Sequence, residues 1–105
     1  MSHYKFGNVP TVVNGHTFHS KKEARRFVEL DAMQRGGLIS DLRRQVWYDL
    51  DVAGERICRY CADFVYYDNQ RKEEVVEDPK GFQTDTYRIK KRLMKAIHGI
   101  EIEEP

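Results

Sequence analysis

The sequence predicts an α/β (α+β) fold. It should be a single domain over residues 1–105, with a mixed central sheet flanked by helices and preceded by a short N-terminal hairpin. Three observations carry this. Two segments, about 21–35 and 86–98, have helix caps at both ends. Three β-rich runs lie between those helices. An Asn-Gly pair near the start, Asn14-Gly15, sits between short β-prone stretches. The length suits one domain, and helices set at either end of a run of strands read as α+β. After the hairpin the expected order is α-β-β-β-α-β.

Each element has a local reason. Asn14-Gly15 supplies the two positive-φ positions of a type I′ turn, so Val12, Val13 and His16 belong to a hairpin. Ser20-x-x-Glu23 is a capping box, and Gly36-Gly37 stops the helix it opens. Leu38–Leu42 reads as a connector or short strand. In Gln45–Leu50 the residues Val46, Tyr48 and Leu50 alternate onto one face, a strand signature. A Gly-containing turn at 51–55 precedes the β-rich run Arg56–Tyr67. The polar stretch 68–73 turns the chain into a partner strand, Glu74–Lys80, where Pro79 suits an edge or a bulge. Thr84 or Asp85 can cap the second helix and Gly99 can end it. Ile100 and Ile102 alternate with glutamates as a last short strand.

Composition excludes several classes. No apolar run approaches the roughly 20 residues of a membrane helix, and no signal-peptide pattern opens the chain. Two cysteines do not make a disulfide scaffold, so a cytoplasmic setting is expected. Cys58-x-x-Cys61 lies in a strand, where residues three apart face opposite ways and do not share a metal. The net charge is only +1, but it is unevenly distributed. Residues 1–26 and 81–100 carry +4 each, residues 27–55 carry −3, 56–80 carry −1 and 101–105 carry −3. Basic blocks around an acidic middle suit a metal site acting on a phosphate polymer, and equally suit ordinary solvated charge.

Four residues look out of place. At about 100° per residue Glu23 falls between Phe27 and Leu30, on the apolar face of the first helix. It is also the third residue of the capping box, which gives it a purely local job. Asp63 lies in Tyr60–Tyr66, a run apolar or aromatic on both faces, as in a central buried strand. In the next strand Asp78 and Lys80 share a face with Val76, while Glu77 points the other way. A buried ion pair of Lys80 with one aspartate would leave the other unexplained. Carboxylates from two strands and a helix form an oxygen-rich site for a hard divalent ion, Mg²⁺ or Mn²⁺.

Glu23 on a helix, Asp63, and then Asp78-Pro79-Lys80 together resemble the PD-(D/E)XK nuclease superfamily, whose core has the same element order. Ser20-Lys21-Lys22-Glu23-Ala24, Ala62-Asp63-Phe64 and Glu77-Asp78-Pro79-Lys80-Gly81 are similar to a small phage-encoded family placed in that superfamily. Ala62 stands where the motif has Pro. The resemblance implies that Glu23, Asp63 and Asp78 bind Mg²⁺ or Mn²⁺ and that Lys80 is catalytic. The implied activity is metal-dependent endonucleolytic hydrolysis of DNA, with branched or junction DNA, as for phage junction resolvases, the expected substrate. Symmetric cutting of a junction would need a homodimer. A non-catalytic DNA-binding or assembly module on the same fold is the alternative. Lys21, Lys22, Gln45, Lys90, Lys91 and Lys95 are candidate DNA contacts. Lys91 and Lys95, with Arg92, give the second helix a basic face. Lys90 falls in that helix's apolar arc, where it can reach the site or snorkel to water. Tyr4, Lys5 and residues 16–22 could make a second phosphate-binding edge.

Overall fold

The computed structural model describes residues 11–13 and 15–105. Asn14, Tyr4 and Lys5 lie outside the described residues. The elements are β1 (Thr11–Val13), β2 (His16–Phe18), α1 (Lys21–Arg35), β3 (Ile39–Val52), β4 (Glu55–Asp68), β5 (Glu73–Glu77) and α2 (Asp85–His98). β1 and β2 form the expected hairpin, with Val13 opposite His16. β3, β4 and β5 form an antiparallel sheet with β4 in the centre. The fold is α+β, with helix before and after the three strands. Among the described residues no helix is long and apolar enough to cross a membrane.

The helix ends follow from their caps. The Ser20 hydroxyl accepts from Glu23 N at 3.1 Å, and Thr84 accepts from Tyr87 N at 3.1 Å. Gly99 closes α2 in the left-handed region, at φ 68°. At the end of α1 it is Gly37, not Gly36, that takes the left-handed conformation, at φ 81°.

The strands depart from expectation in three places. β3 is one strand of 14 residues rather than a connector and a short strand. Left-handed Asp41 and Gln45, at φ 55° and 54°, interrupt its alternation, and the register shifts between Ser40 and Arg43. Gln34 Oε1 takes up the Leu42 N–H at 2.8 Å in this irregular stretch. β5 ends at Glu77 instead of Lys80, because Asp78 N donates to Glu103 O at 2.8 Å rather than to β4. The expected last strand contracts to one parallel bridge, Glu77 with Glu103. The parallel part of the expected mixed sheet is that single bridge.

Two apolar clusters sandwich the sheet. Phe18, Ala24, Phe27, Leu30, Ile39, Phe64, Tyr66 and Val75 pack on the α1 side. Leu50, Tyr60, Ala62, Val65, Val76, Tyr87, Met94 and Ile102 pack on the α2 side. Adjacent Val75 and Val76 fall in different clusters, which puts the two helices on opposite faces. Along β4, Tyr60 and Ala62 join the α2 cluster but Phe64 and Tyr66 join the α1 cluster. Even-numbered residues thus change side across Asp63. The step from the α2-facing Ala62 to Val65 is three positions instead of two, although the pairing with β3 keeps its register there. The change of side lies opposite left-handed Gln45 in β3.

Candidate functional site

Where the β4 side chains change side, a group of polar side chains meets between the two clusters. Gln45 occupies the rung of the β3–β4 ladder between the pairs Arg44/Phe64 and Val46/Ala62, facing Asp63. Its left-handed backbone costs a non-glycine residue about 1–3 kcal/mol, so the surroundings must hold it there. The amide does so at both ends. Nε2 donates to Asp63 Oδ1 at 3.2 Å and to Glu23 Oε2 at 3.1 Å, while Oε1 accepts from Cys61 Sγ at 3.3 Å.

Glu23 is 3 % exposed and divides its two expected jobs between its oxygens. Oε1 accepts from His19 N at 3.0 Å, one residue earlier than a standard capping box, and Oε2 faces Gln45. The helix start thereby fixes where a site carboxylate stands.

Asp78 follows the last residue of β5 and is 1 % exposed. Its Oδ2 accepts from Tyr60 O–H at 2.5 Å. Its buried Oδ1 lies 3.4 Å from Lys80 Nζ but has no hydrogen-bond partner among the described residues. Asp63 and Asp78 stand near enough for each to shift the other's titration. Burial, with Asp63 alongside, pushes Asp78 up to about 7, against the pull of Tyr60 and Lys80. Burial also raises Asp63, and the Glu23 charge adds to it, while Asp78, Lys80 and Gln45 oppose. Two neighbouring carboxylates withdrawn from water resist ionising together, and a proton or an added cation relieves that. Lys80 Nζ sits 4.7 Å from the centre of the Tyr87 ring, a cation–π contact that keeps the ammonium beside the aspartates. Lys22 Nζ donates to the Lys80 carbonyl at 2.9 Å and ties this loop to α1.

Among the described residues no three His, Cys, Asp or Glu side chains group closely enough to hold a metal by themselves. The Gln45 amide is what separates Glu23 from Asp63. Mg²⁺ commonly takes one or two carboxylates and keeps several waters. Asp63 and Asp78 meet that need, and Asp78 Oδ1, which has no hydrogen bond, supplies a buried oxygen donor. The donors present are therefore suited to a hard divalent ion, with Glu23 within reach through Gln45.

The other candidates spread out. Lys21 is exposed and Lys90 half-buried. Lys91 pairs with Glu104 at 3.0 Å and Lys95 with Glu101 at 2.8 Å, so the basic face of α2 meets the acidic C-terminal residues. Cys58 packs with the α2 cluster while Cys61 bonds Gln45, and both are free thiols. Tyr60, Tyr87 and Cys61 were not among the expected site residues. Tyr60 could have been found only by knowing that the β4 side chains change side at Asp63. Arg26 was missed too. It grips the Glu77 carboxylate from Nε at 2.8 Å and Nη2 at 2.7 Å.

Fold and site together define a small α+β domain with a buried acidic cluster and an adjoining lysine. The chain belongs to the family described as Protein of unknown function (DUF1064), whose model matches residues 1–99. No curated protein and no solved structure matches it.

Proposed function

We propose that this protein is a divalent-metal-dependent endonuclease of the PD-(D/E)XK kind that hydrolyses DNA phosphodiesters. The observation that carries the reading is half-buried Asp63 beside fully buried Asp78, whose Oδ1 has no hydrogen bond and only the Lys80 ammonium at 3.4 Å as an ionic partner. A buried orphan acceptor is costly unless it serves a ligand. Asp63 and Asp78 would hold Mg²⁺ or Mn²⁺, with Glu23 as the outer carboxylate. When bound, the ion supplies charge neutralisation at the phosphoryl oxygens and acidifies the attacking water. Lys80 would orient that water or take its proton, or neutralise the charge that develops on phosphorus. Hydrolysis forms one bond from the water oxygen to phosphorus and breaks one P–O ester bond, and the departing alkoxide takes a proton. Lys21 and Lys22 lie exposed at the start of α1, Lys22 with its Nζ on the Lys80 carbonyl at 2.9 Å, and suit phosphate contacts.

The substrate fits a structure-selective role. The resemblance to phage junction resolvases favours branched or junction DNA, recognised by shape. A homodimer would place two sites for symmetric cutting, and the host cytoplasm is the setting in which such a phage-type enzyme would meet its DNA. The purified protein should nick junction DNA faster than linear duplex with Mg²⁺ or Mn²⁺, and Asp78→Asn should reduce cutting to background. Undiminished cutting by that variant would remove the mechanism. The alternative, a non-catalytic DNA-binding module, is favoured by the lack of a ready three-carboxylate group among the described residues. It predicts DNA binding that is unaffected by Asp78→Asn and no cleavage.

A further inference from the structure

We propose that Gln45 holds the place of the cation in the metal-free protein and becomes one of its ligands when the ion enters. This rests on the metal-site reading above. The Nε2 group bridges carboxylates from two different elements, Glu23 at 3.1 Å and Asp63 at 3.2 Å. A positive hydrogen pair set between two anions does there what an ion would do. The backbone supports a dedicated role. Gln45 takes φ 54° in the interior of a ladder, a conformation that Gly or Asn adopts at less cost. A residue kept there against its preference is kept for its side chain.

A carboxamide suits the exchange because its two ends are of opposite character and nearly the same size. In the metal-free protein the donor end faces the carboxylates and the acceptor end faces Cys61 Sγ at 3.3 Å. Turned end for end, Oε1 faces the cluster as an oxygen donor for a hard ion, and the NH₂ faces a sulfur able to accept weakly. Cys61 thus serves either orientation. This also accounts for the lack of a ready three-carboxylate group, since the third carboxylate is held off by the residue that the ion would turn.

The test uses Mn²⁺ titration by calorimetry, thermal melts with and without Mn²⁺, and quenching of Trp47. Trp47 is the chain's single tryptophan and lies two residues from Gln45 on β3, so a paramagnetic ion nearby quenches it without any need for activity. Gln45→Leu should weaken Mn²⁺ binding by about ten- to a hundred-fold, the range for losing a metal-site partner. Gln45→Glu should lower the melting temperature of the metal-free protein, bind Mn²⁺ more tightly than wild type, and gain more degrees on adding Mn²⁺. If Gln45→Leu fails to fold, Gln45→Glu decides. Wild-type Mn²⁺ affinity in the folded variants would overturn the role of Gln45 and leave the metal site standing. No Asp63- and Asp78-dependent Mn²⁺ binding by the wild type would overturn both.

Discussion

Glu77 and Asp78 are consecutive residues, each 1 % exposed, yet the chain treats their charges in opposite ways. Glu77 turns to the α1 face, where Arg26 holds both of its oxygens and the Tyr66 hydroxyl adds a short hydrogen bond. Asp78 turns to the α2 face, where Tyr60 satisfies one oxygen and the other is left without a hydrogen bond, beside a second carboxylate. The first arrangement is complete, and its effect is to lock α1 onto the sheet edge. The second has only the Lys80 ammonium at 3.4 Å on its free oxygen, and an added cation or proton would complete it. Burial alone does not separate a structural carboxylate from a functional one; the count of satisfied oxygens does.

The sharpest way to break the comparison is to remove the partner of Glu77. Arg26→Met should leave an uncompensated buried charge and cost about 3–5 kcal/mol in chemical denaturation. Its Mn²⁺ affinity, where folded, should match wild type, because Glu77 is not a metal ligand in this account. A loss below about 1 kcal/mol would mean that the two carboxylates are not as different as their contacts suggest.

Asp78→Asn should do the reverse. The metal-free protein should be as stable as wild type or more so, since a neutral amide replaces a poorly satisfied acid. The effect should depend on pH. Asp78 is raised in the folded chain from an ordinary 3.8 to about 7, so the folded protein keeps a proton that the unfolded chain has lost. That contribution to stability is full below about pH 3.8 and is lost as pH rises through about 7. Denaturation of the metal-free wild type, compared with Asp78→Asn between those values, should show the stability of wild type falling relative to the variant. Parallel curves would contradict it.

The helices were legible in the sequence because their signals are local. Ser20 with Glu23, Thr84, and Gly99 each act on backbone groups within a few residues, and the helix ends lie within a residue of expectation. The neighbourhood of Asp78 and Lys80 was legible from period-two alternation, although the chain had already left the strand. The opposed directions of Glu77 and Asp78 were legible for the same reason. Three features were not. Left-handed Asp41 and Gln45 are not glycines and send no signal that the backbone turns there. The change of side at Asp63 depends on how β3 and β4 pair, so Tyr60 could not be placed beside Asp78. The contact of Arg26 with Glu77 joins residues 51 apart, which a helical wheel does not relate.

The central claim is that Asp63 and Asp78 are a cation site. A crystal soaked in Mn²⁺, with data collected for anomalous scattering, tests it most directly. A peak should stand at ordinary coordination distance, about 2.1 Å, from oxygens of both aspartates, with the Gln45 amide turned from its metal-free orientation. Absence of a peak at occupancy-saturating Mn²⁺, with Nε2 of Gln45 still bridging Glu23 and Asp63, would contradict it.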